Sequence, residues 1–343
     1  MGNQIVQSFW YSKNKDKNFI SVIEIACVAS YIANHHTFHL YTYSLDDASM
    51  LFLQKVITDC PNAHLFCLKD AREIVDEDKI FFDDRGSVGI AAFSDYFRFK
   101  LLYEKGGWWV DMDTICLKPL DLQAPFAFAS QRNEGGGWGA TTCMLKAPPK
   151  SDFFAQILKE AQKMIQAHSK WQIILPRFSP FTLRGVLANC FIESLPLFIQ
   201  TFLFGKKNGS NRVSWGIIGP SFLHHLILKN PEYSAYVCPP SCFCEIDWFY
   251  AKEFIQEIDE ERLKESYVCH VWNAMWEGWN LPKDARYPEK SLIEKLKTQY
   301  VPQTFLQKLK RWEGEIDTSL REIPLPKATL PLKLARLIKR KLF

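Results

Sequence analysis

Asp111 and Asp113 stand one residue apart, directly after the apolar run Trp108-Trp109-Val110. Paired carboxylates are ligands for a hard divalent cation such as Mn²⁺ or Mg²⁺. On an extended backbone, residues i and i+2 point the same way with their α-carbons about 7 Å apart, so both acids approach one ion while Met112 turns toward the core. An isolated Asp-x-Asp is common on solvated loops. Here an aromatic, β-branched strand leads into it, which puts the charge at the carboxyl edge of a sheet, where open α/β sheets bind ligands.

The elements that must hold these acids are legible on both sides. Ala91 to Lys105 contains no Gly or Pro, and Phe93, Phe97, Leu101 and Leu102 recur at helical spacing. Gly106-Gly107 is the helix stop. Ser94, Asp95 and Arg98 lie on this helix, the last two on one face. They read either as hydrogen-bonding partners for sugar hydroxyls or as a surface ion pair worth about 0.3 kcal/mol. At the N-terminus, Ile5 to Trp10 predicts a strand, Ile20 to Ala33 a helix and Thr37 to Tyr43 a second strand, a βαβ opening. Ala124 to Ser130 and Thr141 to Lys146 predict two further strands around the glycine-rich loop 131–139. That loop reads as a hairpin tip or as backbone that approaches a ligand closely. It lacks Gly-x-x-x-x-Gly-Lys-Ser/Thr spacing, so an ATPase finds no support. Helices are expected over Ser151 to His168, with Ser151 as N-cap, and over Leu183 to Phe204 and Phe222 to Leu228; a polar helix-like run over Phe254 to Glu265 precedes His270-Val271-Trp272-Asn273.

Ser94-Asp95, Arg98, Leu102-Tyr103, Gly106-Gly107 and Asp111-Met112-Asp113 together resemble the signature of the DXD-containing retaining glycosyltransferases, similar to glycosyltransferase family 32. That family includes bacterial capsule and lipooligosaccharide sugar transferases, with yeast initiating mannosyltransferases and clostridial glucosylating toxins as distant relatives. Weaker echoes run from Gln4 to Trp10, through Gly219-Pro220, to His270-Asn273. The resemblance implies an α/β fold of GT-A-like type: a Rossmann-like mixed sheet flanked by helices, with helical additions and a basic C-terminal helix or tail. It implies a domain over residues 1–300 and a tail over 301–343. It also implies transfer, with retention, of a hexose or N-acetylhexosamine from a nucleotide sugar, with uridine as the expected base. Asp95, Arg98, Asp111 and Asp113 are then the catalytic set; Trp10, Ser94 and Met112 join them at the donor, with Trp10 either stacking on the base or filling the core. His270 is the candidate third metal ligand, beside the reading of an ordinary hydrogen-bonding histidine, with Asn273 or Glu277 as substitutes. Trp272, Trp276 and Trp279 either stack on sugar rings or pack.

Composition bounds the rest. The 343 residues, 47% hydrophobic, suffice for one large α/β domain, and a net charge of +4 gives no argument for nucleic acid. Ten cysteines lack a regular zinc spacing, since Cys242-Phe243-Cys244 has no second pair, and read as free buried thiols of a reducing compartment. Residues 1–7 do not resemble a secretory signal, and Phe191 to Phe204 is too short to span a bilayer. After Pro324, Lys327, Lys333, Arg336, Lys339, Arg340 and Lys341 supply six positive charges and no acids. With Leu334, Leu337 and Ile338 at helical spacing, this tail reads as an anchor on an anionic membrane surface or as a solubilising end. The expectation is a cytoplasmic enzyme, peripheral on the inner face of the membrane, that transfers sugar to a glycan or lipid-linked glycan in bacterial surface polysaccharide synthesis. A nucleotide-sugar hydrolase, a protein-glycosylating effector and a non-catalytic carbohydrate-binding module are the alternatives.

Overall fold

The computed structural model describes residues 5–11, 20–83, 89–134, 136–170, 212–213, 215–279 and 281–314. The chain forms two compact units, residues 1–164 with 214–316 and residues 165–213 with 317–343, and the sheet and the site described below belong to the first. The expected helix over Leu183 to Phe204 and the basic stretch beyond residue 314 lie outside the described residues, and Leu183 to Phe204 belongs to the second unit. No described helix is long and apolar enough to cross a membrane.

A six-stranded mixed sheet carries the fold. Strands β1 (Ile5–Phe9), β2 (Thr37–Thr42), β3 (Phe66–Asp70), β4 (Gly107–Val110), β6 (Ala127–Arg132) and β7 (Trp138–Ala147) stand in the order β3-β2-β1-β4-β7-β6. The first four are parallel, β7 is antiparallel to β4, and β6 is antiparallel to β7. This is the Rossmann-like mixed sheet of a GT-A-like fold. Helix α1 (Val22–Ala33) crosses from β1 to β2, α2 (Ala48–Ile57) from β2 to β3, and α3 (Ala91–Lys105) leads back to β4. The chain therefore leaves β1 toward one edge and returns on its other side, so the strand order reverses between the carboxyl ends of β1 and β4. A crevice at such a switch point is where open α/β sheets take ligands.

Side-chain alternation assigns each face. Val6, Trp108 and Val110 join the core under α1, whereas Phe9 and Trp109 point the other way, toward Phe93 and Phe97 of α3. Eleven of the twelve residues of α1 are buried, as expected of a helix apolar on every side. Its start is a capping box: the Ser21 hydroxyl accepts from the Ile23 N–H, and the Glu24 carboxylate accepts from the Ser21 N–H at 2.8 Å. Helix α3 ends at Gly106, where φ is +67° and any Cβ would meet the Pro149 ring at 2.5 Å, so glycine is required twice over.

The remaining elements lie close to the sequence expectation, with two corrections. Helix α4 (Asp152–Lys170) starts after Ser151, whose hydroxyl accepts from the Phe154 N–H at 3.3 Å, and α5 (Pro220–Lys229) contains the predicted stretch 222–228. The run from Phe254 to Glu265 is not an α-helix. Two 3₁₀ segments, Trp248–Ile255 and Glu260–Leu263, replace it, because Gln256 is extended and the Asp259 carboxylate takes the Glu261 N–H at 3.1 Å, competing with helical bonding. Strand β4 stops at Val110. Asp111 to Asp113 form a tight turn rather than the extended end expected, closed by the Thr114 N–H on the Asp111 carbonyl at 3.1 Å and by the Thr114 hydroxyl on the same oxygen at 2.7 Å.

Candidate active site

That turn feeds β5 (Thr114–Cys116), which pairs antiparallel with β8 (Val268–His270) in the register Thr114 to His270. The short ladder brings a residue 157 positions downstream beside Asp113. His270 Nε2 lies 3.3 Å from Asp113 Oδ1, the Val271 N–H donates to the Asp113 carbonyl at 2.8 Å, and the Asn273 N–H donates to Asp113 Oδ2 at 2.8 Å. Asn273 begins helix α6 (Asn273–Gly278), so this carboxylate sits at a helix N-terminus. The ligand atoms of Asp111, Asp113 and His270 all lie within 4.8 Å of one another. Two carboxylates and an imidazole at that spacing fit a divalent cation of the Mn²⁺ class.

Arg98 organises the other side. It is buried, its guanidinium lies 4.8 Å over the Trp109 ring, and NH1 contacts Asp111 Oδ1 at 3.0 Å and the Thr142 carbonyl at 2.7 Å. NH2 donates to the Ser94 hydroxyl at 3.1 Å and reaches Asp95 Oδ1 at 3.3 Å. The Trp109 indole N–H also donates to Asp111 Oδ1, at 2.8 Å. Asp95 and Arg98 are thus a buried pair rather than a surface one. Asp95 stands behind Arg98, accepting from the Thr142 hydroxyl at 3.2 Å, and Ser94 and Arg98 face the cavity.

The charges are strongly perturbed. Burial, helped by the charge of Asp111, pushes the Asp95 carboxyl up to about 6 against the pull of Arg98. Burial likewise raises Asp111, with Arg98 opposing and Asp113 reinforcing. Burial works to raise Asp113 as well, but the facing His270 charge and hydrogen bond outweigh it and hold Asp113 low. For His270, burial disfavours the charged ring and Asp113 overrides it, so the imidazole is held well above its ordinary value.

These groups open onto a cavity of about 750 Å³ at the switch point, lined by Ser8 to Tyr11 from the end of β1, by Arg98, by Asp111 to Asp113, and by Asn273 and Lys283. Trp10 and Met112 both line it, and Met112 is at the same time buried against the core. Three buried polar atoms on the wall have no hydrogen-bond partner among the described residues: Ser8 Oγ, Trp10 Nε1 and Asn273 Oδ1. A wall that leaves such groups unpaired is built to meet a polar ligand.

Sequence reasoning missed Glu24, Lys283 and the role of Trp109. The Glu24 carboxylate is buried and accepts from Lys283 Nζ and from Asn273 Nδ2, each at 2.7 Å, tying α1 to the cavity's far wall. A Glu at the N3 position of a capping box was the only available signal for it. Trp272 has φ +61°, lies tilted against the His270 ring with centroids 3.7 Å apart, and donates its indole N–H to the Ile246 carbonyl at 2.8 Å. Trp276 is buried and Trp279 is packed against the core, while the side chain of Glu277 lies outside the described set.

Two family models match the chain. Residues 5–129 match the glycosyltransferase sugar-binding region containing the DXD motif, and residues 211–307 match the alpha 1,4-glycosyltransferase conserved region. No curated protein matches in sequence. Among solved structures, PaToxG glycosyltransferase is 10% identical, covering 67% of this chain and 70% of its own at a TM-score of 0.38. The UDP-bound glycosyltransferase domain of the YGT toxin is 11% identical, covering 90% and 94% at 0.39. The glycosyltransferase GlyE of Streptococcus pneumoniae is 15% identical, covering 91% and 66% at 0.36. The first model spans the paired aspartates and the second spans the histidine that meets them across the short ladder; the chain is a DXD-containing glycosyltransferase.

Proposed function

We propose that the chain transfers a hexose or N-acetylhexosamine from a nucleotide sugar, UDP-linked, to a glycan hydroxyl with retention of configuration, using Mn²⁺ or Mg²⁺ held by Asp111, Asp113 and His270. The observation that carries this is the convergence of two carboxylates and an imidazole within 4.8 Å at the edge of the switch-point cavity. A bound divalent cation supplies Lewis acidity that neutralises charge developing on the departing diphosphate. Arg98 and the Trp109 N–H fix the orientation of Asp111, and the Asn273 and Val271 amides fix the turn at Asp113. Ser94 and Arg98 line the cavity wall where the sugar sits on this reading, with the Arg98 N–H groups held by Ser94, Asp95, Asp111 and the Thr142 carbonyl. Trp10 lies at the end of β1, where the base of the donor stacks on this reading.

Retention is supported by what the cavity's acids are doing. Glu24 is bound to Lys283 and Asn273, Asp284 accepts from the Val22 N–H at 2.8 Å, and Asp111 and Asp113 belong to the cation site, so each lining carboxylate already has a partner. None is placed to serve as a covalent nucleophile. Attack by the acceptor hydroxyl from the leaving-group side, its proton passing to the departing phosphate, needs no protein base. The name of the second matched region points the same way, because an α-linked product from an α-linked nucleotide sugar is retention. The basic tail from Lys327 to Lys341 supports a lipid-linked acceptor at an anionic cytoplasmic membrane face, as in bacterial surface glycan assembly.

The test is nucleotide release from a panel of UDP- and GDP-sugars with Mn²⁺ or EDTA, in the intact protein and in Asp111→Asn/Asp113→Asn, with the anomer assigned by NMR. One donor turns over only with metal, and the double variant loses about 10²-fold or more, the scale of removing preorganised charge stabilisation. Turnover that ignores EDTA, or an inverted product, sinks the proposal. Equal nucleotide release with and without acceptor identifies a hydrolase instead.

A further inference from the structure

The imidazole of His270 has two nitrogens, and only Nε2 faces the aspartates. Nδ1 faces Cys244 Sγ at 3.8 Å, and Cys244 Sγ lies 3.7 Å from Cys143 Sγ. The three ligand atoms fall within 4.8 Å of one another, and all three residues are buried. Two thiols in contact would be ordinary packing, but an imidazole nitrogen at the same spacing completes a donor set. Around a tetrahedral ion with metal–sulfur arms of about 2.3 Å, sulfurs stand about 3.8 Å apart and sulfur and nitrogen about 3.6 Å apart. We propose that Cys143, Cys244 and His270 Nδ1 form a second metal site, selective for a thiophilic d¹⁰ cation such as Zn²⁺, which competes with the hard cation for the single lone pair His270 can offer.

The chemistry makes the two sites antagonistic. Binding of the thiophilic ion releases to solvent the two thiol protons and the proton that the charged ring carries on Nδ1, and forms two metal–sulfur bonds and one metal–nitrogen bond. With Nδ1 coordinated, the neutral ring carries its proton on Nε2, 3.3 Å from Asp113 Oδ1. His270 then turns from a ligand of the hard cation into a hydrogen-bond donor on one of that cation's two carboxylates. Softness keeps the populations apart, since thiolates favour Zn²⁺ and carboxylates favour Mn²⁺ or Mg²⁺.

The experiment uses the metal-depleted full chain and Cd²⁺ as a spectroscopic probe for Zn²⁺. The expected result is a thiolate-to-metal charge-transfer band that is lost in Cys143→Ser/Cys244→Ser and kept in Cys238→Ser/Cys242→Ser and in Asp111→Asn/Asp113→Asn. One equivalent of Cd²⁺ also weakens Mn²⁺ binding, read from the free-Mn²⁺ EPR signal, by about tenfold in wild type, the scale on which a ligand's outer partner alters metal affinity, and not in Cys244→Ala. A band that survives the Cys143/Cys244 change, or that disappears with Cys238/Cys242, overturns the proposal. In wild type alone, Zn²⁺ must protect Cys143 and Cys244 from alkylation under partial unfolding, mapped by mass spectrometry; protection confined to other cysteines refutes it without any variant.

Discussion

Asp95→Asn removes one charge from the buried pair while keeping the side chain's shape, and the structure sets the size of the effect. The Asp95 carboxyl is pushed up to about 6 in the folded chain, from 3.8 as its unperturbed value, chiefly by burial. A group whose folded value is raised contributes stability that is fully present below the unfolded value and is lost as pH rises through the folded one. Linkage over that window gives a loss of about 1 kcal/mol between pH 5 and pH 8 for this residue alone, and about 3 kcal/mol over the whole titration. Asparagine cannot titrate, so the variant lacks that slope. Urea unfolding in EDTA, run on both proteins at pH 5 and pH 8, should show the stability of Asp95→Asn relative to wild type improving by about 1 kcal/mol on going to pH 8. Transfer activity should fall at pH 8, where the wild-type oxygen that faces Arg98 is charged, and much less at pH 5, where that carboxyl is already largely protonated. A relative stability that does not change with pH, or that worsens toward pH 8, would refute the account of Asp95 as a buried carboxylate whose ionised form Arg98 compensates only in part.

Four further outcomes follow from the site's geometry. Because Asp113 holds the His270 ring charged well above its ordinary value, metal uptake must displace a proton; Mn²⁺ affinity should rise with pH, and calorimetry in buffers of different ionisation enthalpy should report release of about one proton. Glu24→Gln weakens the pairing with Lys283 at the cavity wall and should cost about 3 kcal/mol in chemical denaturation, the scale of breaking a buried pair; a loss under 1 kcal/mol would show the pair to be dispensable. Trp10→Ala should raise the donor KM about tenfold with little change in kcat, whereas Trp10→Phe should keep most of the binding, as expected of a stacking role. Trp272→Gly relaxes a positive φ but removes the ring beside His270, so Mn²⁺ affinity should drop about tenfold in spite of the relieved backbone; unchanged affinity would show that the indole does not orient the ligand.

What could be read from the sequence was what is local. The 91–113 stretch contains a helix period, a glycine stop, a β-branched strand and two acids in one continuous run, and each element signals itself by spacing. The acids converge as expected, but on a turn rather than an extended strand end, because the Thr114 hydroxyl and amide both bond the Asp111 carbonyl, and periodicity does not register a side-chain-to-backbone bond. Lys283, Glu24 and the Cys143–Cys244 contact were invisible for a different reason. Their partners lie 101 to 259 residues away, and only a folded sheet places them together. Trp109 looked like filler beside Trp108. The strand alternation turns Trp108 under α1 and Trp109 toward Arg98, so one of two adjacent, identical residues packs the core while its neighbour hydrogen-bonds Asp111.

The three-residue ladder between β5 and β8 has a consequence for the order in which the molecule is made. A ribosome emits Asp111 and Asp113 long before His270, and loop-closure entropy delays contacts between distant segments until much of the intervening chain is in place. Glu24 waits longer still for Lys283. A nascent chain can therefore display its paired acids while lacking the pocket that makes them selective, and acquires a competent centre only as its last segments dock. A cation that binds the finished trio in preference to the open chain would add its binding free energy to that step, so filling the site and closing the seam between β5 and β8 would be one event.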